Sequence, residues 1–388
     1  MRKPFLWLLT LAFCLGTTAA MGAGSPDPKR LVSEDVPQSL LPRFVHYNRM
    51  SSLARQVAAQ GGYARIAINS VPHWSGAFSN DGTVYPFTMA GGKPATGGVT
   101  QIRTAILPIS IEFDEYVDQQ GKPIVLDVTP VIPRVLQSPN FVPYNYADGD
   151  VQFADAVQRA QFAAYAPSNW HTELAPPRVL APVLLEVPVG AAKLYKTATG
   201  ILYAKIDFNF FASQINTITQ MAGFRVDEFP ILLAPNTLLY ESGDSSQCCI
   251  LGFHTAYETG RTSNTISIQT FAYATWLDSG IFRDPEIADV LPLSHEISEW
   301  MNDPFLGNAA PGWVSPDGGG CQTHITTGDP VEVLPHAAYE VELGGFTYHP
   351  QTQALLQWFT REQPSSAFDH AYSFPDASVL KAPSQACQ

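Results

Sequence analysis

Residues 293–304 read Leu-Ser-His-Glu-Ile-Ser-Glu-Trp-Met-Asn-Asp-Pro, and His295, Glu296 and Glu299 have the types and spacing of a hydrolytic metal site. On a helix four residues advance about 400°, which puts His295 and Glu299 on one face a turn apart, with Glu296 about 100° round from His295. An imidazole nitrogen and a carboxylate oxygen on one face offer two ligands to zinc. Glu296 beside them is placed to take a proton from a water whose pKa the ion lowers. The more specific form of the array has a second histidine; here Glu299 stands in its place. Two ligands do not complete a zinc site, so a third must come from farther along the chain.

Three residues are candidates for that ligand. Asp303 follows His295 by eight positions, about 12 Å along a continuous helix and too far to share its ion. Pro304 disfavours helical backbone at Asp303, so the helix should end near Asn302 and the chain can turn back. Asp303 is then either a ligand or a terminator. Asp329, in the tight turn Thr326-Thr-Gly-Asp-Pro330, is the first choice, because a loop and a strand can return it beneath the helix. His324 is the other alternative. Tyr348 lies where a cleft residue would stabilise an oxyanion. His254 reads as a lone strand histidine, Asp155 and Arg159 as a structural pair one helical turn apart. The competing reading of residues 294–300 is an ordinary amphipathic segment with Glu296 and Glu299 in water.

The elements that must position these residues read as follows. Residues 285–302 form a helix, kinked or restarted at Pro292. Residues 249–257 and 265–276 precede it as a hairpin turning at 258–264, and 229–235 and 237–240 are further strands. Tyr339 to Tyr348 is a hairpin around Gly344-Gly345, and residues 353–359 are a strand or a short helix. Earlier, helical spacing marks 51–60, 152–164 and 210–221, while 101–113, 124–128, 179–189 and 200–208 read as strands. The fold class expected is α+β, with β-rich mixed sheets. The chain divides into a signal peptide (1–23), a linker and short helix (24–60), an N-terminal β-rich region (61–225) and a C-terminal region carrying the site (226–388).

Composition sets the frame. The chain has 388 residues, 45% hydrophobic and 15% charged, with 32 Pro and 28 Gly, which fits a loop-rich, strand-rich core and excludes disorder. A net charge of −13 argues against nucleic acid, whose phosphates call for Lys and Arg. Arg2 and Lys3, an apolar run from Phe5 to Leu15 and the small residues at 17–23 form an export signal, which predicts a secreted or periplasmic protein. Nothing after it is apolar enough to span a membrane. Cys14 leaves with the signal, so Cys248, Cys249, Cys321 and Cys387 remain and favour disulfides. Adjacent cysteines on a trans peptide do not bridge easily, so Cys248 and Cys249 are each expected to pair with Cys321 or Cys387.

The run Ser294-His-Glu-Ile-Ser-Glu299, with Asp303-Pro304, Trp313 and Gly328-Asp329, resembles a group of secreted bacterial proteins of unknown function. These carry a Ser-His-Glu-hydrophobic-x-Glu helix ending in Thr-Asp-Pro, then a tryptophan and a Glu-Ile-Gly-Asp turn. The plant phosphate-induced, EXORDIUM-like proteins are similar in the same region. Asn302 replaces the Thr, and Thr326 replaces the Glu, leaving Asp329 as the acid of that turn. Residues 152–162 are also similar to a Gln-Tyr-x-Asp-Ala-hydrophobic-Gln-Arg-Ala-x-Phe segment, so the likeness covers scattered parts of 100–375. It implies a zincin-like half-domain and a secreted setting.

The expectation is a secreted zinc-dependent hydrolase, foremost a peptidase acting on extracellular peptide or protein. His295, Glu299 and Asp329 would bind Zn2+, with Glu296 as base. Its rivals are a non-catalytic extracellular module binding a cell-surface polymer or polysaccharide around a structural or vestigial metal, and a purely structural β-rich protein.

Overall fold

A computed structural model describes residues 40–45, 47, 49–58, 66–146, 149–316, 318 and 320–387, with the backbone alone at 33–34 and 59. The signal peptide, Cys14 and the first part of the linker lie outside the described residues. The architecture is α+β, as expected, built on a large curled mixed sheet of 14 strands. The elements that matter here are β1 (Arg43–Phe44), α1 (Ser52–Ala59), β2 (Val99–Val117), α2 (Phe153–Gln161), β3 (His171–Leu174), β4 (Val183–Val187), β5 (Ala192–Lys196), β6 (Leu202–Asp207), α3 (Phe208–Met221), β7 (Glu228–Pro235), β8 (Thr237–Tyr240), β9 (Cys248–Arg261), β10 (Thr265–Trp276) and α4 (Leu291–Asn302).

The sheet runs β5-β6-β8-β9-β10-β7-β2-β3, with β4 also on β2 and β1 on the side of β9. β7 lies parallel between β2 and β10, whereas β9 and β10 form the antiparallel hairpin that the sequence predicts. Strands from both the 61–225 and the 226–388 region therefore share one ladder.

The strand at 228–235, Glu-Phe-Pro-Ile-Leu-Leu-Ala-Pro, shows why both faces are covered. All eight residues are buried, and the two-residue period sends Phe229, Ile231 and Leu233 into one core and Leu232 and Ala234 into the other. Such near-continuous apolar strands are typical of parallel pairing with a layer on each side. The first core takes α2 and α4; the second takes α3 through Phe211 and Ile215.

α4 is shorter than expected because Pro292 opens it: the ring's fixed φ and missing N–H suit a first helical turn and nothing earlier. Leu293, Ile297, Trp300 and Met301 recur at helical spacing and face the first core, where Trp300 stacks on Phe229 with ring centroids 3.6 Å apart. The helix ends at Asn302, where the Asp303-Pro304 step places it. Residues 353–359 divide between a short strand, Gln353–Ala354, and a helix starting at Leu356.

The disulfide expectation is corrected. Cys248 bonds to Cys249, and Cys321 to Cys387. The argument against a neighbour bridge assumed a trans peptide; here the peptide is cis and the two Cα atoms lie 3.0 Å apart.

Candidate metal centre

Every residue of α4 is buried, so its polar face does not meet water. His295, Glu296 and Glu299 are 0%, 1% and 2% exposed, which rules out the solvated amphipathic helix. Buried ionisable groups need partners, and the surroundings supply them.

His295 is held first. Its Nδ1 lies 2.8 Å from Gln351 Oε1, and Gln351 Nε2 donates to the Gly328 carbonyl at 2.9 Å, which fixes the amide orientation. The Gln351 backbone N–H donates to Ser294 Oγ at 2.8 Å, tying the residue to the helix. Because Oε1 can only accept, Nδ1 donates here, and Nε2 is the ring atom turned towards the acids. Nε2 makes no hydrogen bond among the described residues. It faces Glu299 Oε1 at 3.2 Å and Asp329 Oδ1 at 3.6 Å. An acceptor aimed at two carboxylates is repulsive unless a cation or a proton lies between them.

Glu299 also fastens the returning turn. Its Oε1 accepts the backbone N–H groups of Gly328 and Asp329 at 3.0 and 3.3 Å, at the start of the short 3₁₀ turn Asp329–Val331. Gly328 is required by space: an added Cβ would stand 2.3 Å from His295 Nδ1. The turn in Thr-Gly-Asp-Pro thus lies directly against the imidazole and presents Asp329 to it.

Glu296 points to the sheet. Its Oε2 lies 3.1 Å from Nδ1 of His254 on β9, itself 2% exposed, and Glu299 Oε2 is 3.7 Å from the same nitrogen. Glu296 Oε1 is buried without a hydrogen bond. A Cβ on Gly252 of β9 would stand 2.8 Å from Glu296 Oε1 and from its Cγ, so this strand too is cut back to admit the carboxylate. Burial pushes the Glu296 carboxyl well above its usual pKa, and the like charges of Glu299, Asp329 and Glu332 push it the same way.

Two groups have the ligand spacing for an ion: His295, Glu299 and Asp329, and His254, Glu296 and Glu299, in each of which the ligand atoms lie within 4.8 Å of one another. Either group would offer an ion one imidazole nitrogen and two carboxylates, a formal −2 with the imidazole unprotonated, which a divalent cation would neutralise. The unbonded Nε2 of His295 and Oε1 of Glu296 give that fit its physical basis, since buried polar atoms without partners are costly.

The other sequence candidates fall elsewhere. Asp303 caps the turn after α4, its Oδ1 accepting from Gly307 N and its Oδ2 from Asn308 N at 2.9 and 3.0 Å. His324 is exposed on the strand Cys321–His324 and belongs to neither ligand group. Tyr348 is a core side chain whose hydroxyl donates to the Arg134 carbonyl at 2.9 Å. Asp155 accepts from His171 Nδ1 and Thr172 N, both at 2.7 Å, while Arg159 donates to the Ser168 and Trp170 carbonyls. Sequence reasoning passed over Gln351 and Glu332 and treated His254 as structural. The glycine inside the strand pattern Ile-Leu-Gly-Phe-His was a usable signal for His254, because strand glycines mark close approach.

No family model matches the chain, and neither the curated proteins nor the solved structures compared with it contain a match. No helix among the described residues is long and apolar enough to cross a membrane.

Proposed function

We propose that this protein is an exported, zinc-dependent hydrolase whose substrates are extracellular peptides. The observation that carries the reading is Nε2 of His295, its ring locked by Gln351 and turned towards two carboxylates. His295, Glu299 and Asp329 would hold the ion, a three-ligand set that leaves a coordination position open. When bound, the ion supplies Lewis-acid polarisation of the attacked carbonyl and of water.

The chain's own residues do the rest. Glu296 Oε1, with no hydrogen bond of its own, is the atom that takes a proton from the attacking water and later returns it to the leaving nitrogen. A carboxyl whose pKa is raised by burial is a stronger base than a solvated one, and a neighbouring cation keeps it ionised near neutrality. His254 Nδ1 holds the other oxygen and fixes which one faces substrate. A zincin-like half-domain is the reading of α4 packed on the β9–β10 hairpin that fits this chemistry.

One observation favours the non-catalytic rival with a structural metal: Phe44 of β1 stacks on His295, ring centroids 3.4 Å apart and planes at 12°. Elemental analysis of the purified protein, with peptide-cleavage assays on wild type, His295→Ala and Glu296→Ala, separates the two. The hydrolase reading expects about one zinc per chain, lost in His295→Ala, and cleavage reduced at least ~100-fold in Glu296→Ala with metal retained. Zinc without cleavage in a form whose His295 is uncovered favours the structural role. Two ions per chain would make Glu296 a ligand and remove it as the base.

A further inference from the structure

The segment Leu40–Val45, Leu-Leu-Pro-Arg-Phe-Val, lies over the centre in extended form. We infer that it fills the substrate groove as a built-in occupant, so that the site is held shut by its own chain and accepts, once the segment is displaced, an extended peptide with apolar and aromatic side chains. This rests on the reading of the centre given above.

Three observations place the segment where a substrate would lie. First, it is added to the sheet as a strand: Arg43 and Phe44 pair in parallel with Ile250 and Gly252 of β9. Pairing with a strand edge is a sequence-tolerant way to hold a peptide, with side-chain pockets supplying the selectivity. Gly252 is also the residue against which Glu296 packs, so Phe44 sits in register with the proposed base. Second, the Phe44 ring covers His295 face to face. Third, Leu40 and Leu41 line a cleft of about 610 Å³ with Leu291, Val333, Leu334 and Ala338. That is an ordinary size for a ligand pocket. Glu332 lines this cleft, and its charge also acts on Glu296.

Among the described residues the polar hold on the segment is light, and packing adds to it, with Leu40 and Phe44 against one buried cluster and Val45 against another. Its backbone ladder is two residues long, and Arg43 pairs with Glu241 at 3.2 Å with both side chains more than a third exposed. Such pairs contribute little. Farther along, Thr255 of β9 donates its hydroxyl to the Tyr47 carbonyl. Asn216 Nδ2 also donates to the Tyr47 hydroxyl at 3.1 Å. Peeling Leu40–Val45 away would uncover the face of the His295 ring, which Phe44 covers while it is in place.

The test uses full-length protein in wild-type, Phe44→Ala, Phe44→Tyr and Thr255→Val forms, each shown to unfold cooperatively. Thr255→Val loosens the segment with Phe44 intact and serves if Phe44→Ala fails to fold. Two rates are measured: removal of zinc by a chelator, and carbethoxylation of His295 in metal-stripped protein, located by mass spectrometry. The expected result is an increase of at least tenfold in both for Phe44→Ala, a smaller increase for Thr255→Val, and wild-type rates for Phe44→Tyr, which keeps the stack. A synthetic Leu-Leu-Pro-Arg-Phe-Val peptide should then protect His295 in Phe44→Ala. Equal rates in wild type and the two loosened variants overturn the cover, and failure of the peptide to protect at millimolar concentration overturns the substrate class. Faster exchange without cleavage of any peptide leaves the cover standing and removes the hydrolase; in a chain that holds no zinc, carbethoxylation alone decides.

Discussion

Gly328 allows the geometry of the centre to be tested with one carbon atom. Its φ is −87°, a value any residue adopts, so Gly328→Ala carries no left-handed backbone strain and the perturbation is steric. The new Cβ would fall 2.3 Å from His295 Nδ1 and 2.4 Å from Cε1, where ordinary contact starts at 3.4 Å, so something must retreat by about 1 Å. The imidazole cannot, because Gln351 grips Nδ1 at 2.8 Å and Phe44 lies 3.4 Å over the ring. The turn must move instead, pulling the N–H groups of Gly328 and Asp329 off Glu299. Overpacking of this kind costs about 1–3 kcal/mol, a Tm decrease of roughly 1–4 °C in a chain of this size. Loss of ligand support should weaken zinc binding by roughly 10–100-fold. Calorimetric scans and zinc titrations of metal-stripped protein read both quantities, with Gly260→Ala as control because its Cβ would meet nothing within 4 Å. Wild-type Tm and zinc affinity in Gly328→Ala would refute the arrangement of turn and imidazole described above.

Other expectations follow from features outside the centre. Cys321 and Cys387 close a loop of 66 residues, so replacing both with Ser should lower stability by about 2–4 kcal/mol, read by urea unfolding under oxidising conditions; an unchanged midpoint would count against that bridge. His349 Nδ1 meets Asp289 Oδ2 at 2.6 Å, which raises the imidazole pKa, with Glu340 and Glu286 adding to the effect. A raised histidine stabilises the fold below about pH 6.5 and loses that contribution as pH climbs through the folded-state value. Wild-type Tm should therefore fall relative to His349→Gln between pH 6 and 8, and parallel curves would argue against the pair.

What could be read from the sequence divides by range. The Ser-His-Glu-Ile-Ser-Glu run is local, and helical geometry alone puts its three side chains in the relative positions seen. Pro304 fixes the helix end for the same reason. The β9–β10 hairpin and the apolar strand at 229–235 are also statements about neighbours in the chain. Gln351 and Glu332, by contrast, reach the centre only through long-range packing, and no spacing rule links them to His295. Asp329 was reachable because its turn is short and chemically marked, but the role of Gly328 beside it needs the third dimension. The Cys248–Cys249 bond was misread because one peptide geometry was assumed, and the hydroxyl of Tyr348 because a core aromatic and a cleft aromatic look alike in a sequence.

The long strand β2 bears on how this chain comes into being. Residues 105–111, Ala-Ile-Leu-Pro-Ile-Ser-Ile, are all buried, and on one side their partner is β7, with Ile106 opposite Ile231. The second strand of that pair is synthesised 125 positions after the first, on the order of 6–25 s later at ordinary translation speeds. Through that interval this apolar ladder edge lacks its β7 partner, and every other nascent copy offers an identical one. Export, as proposed above, would hold the chain extended until all of its strands are available at once, and so convert a sequential folding problem into a simultaneous one. A signal at the N-terminus would then serve this topology as well as deliver the product.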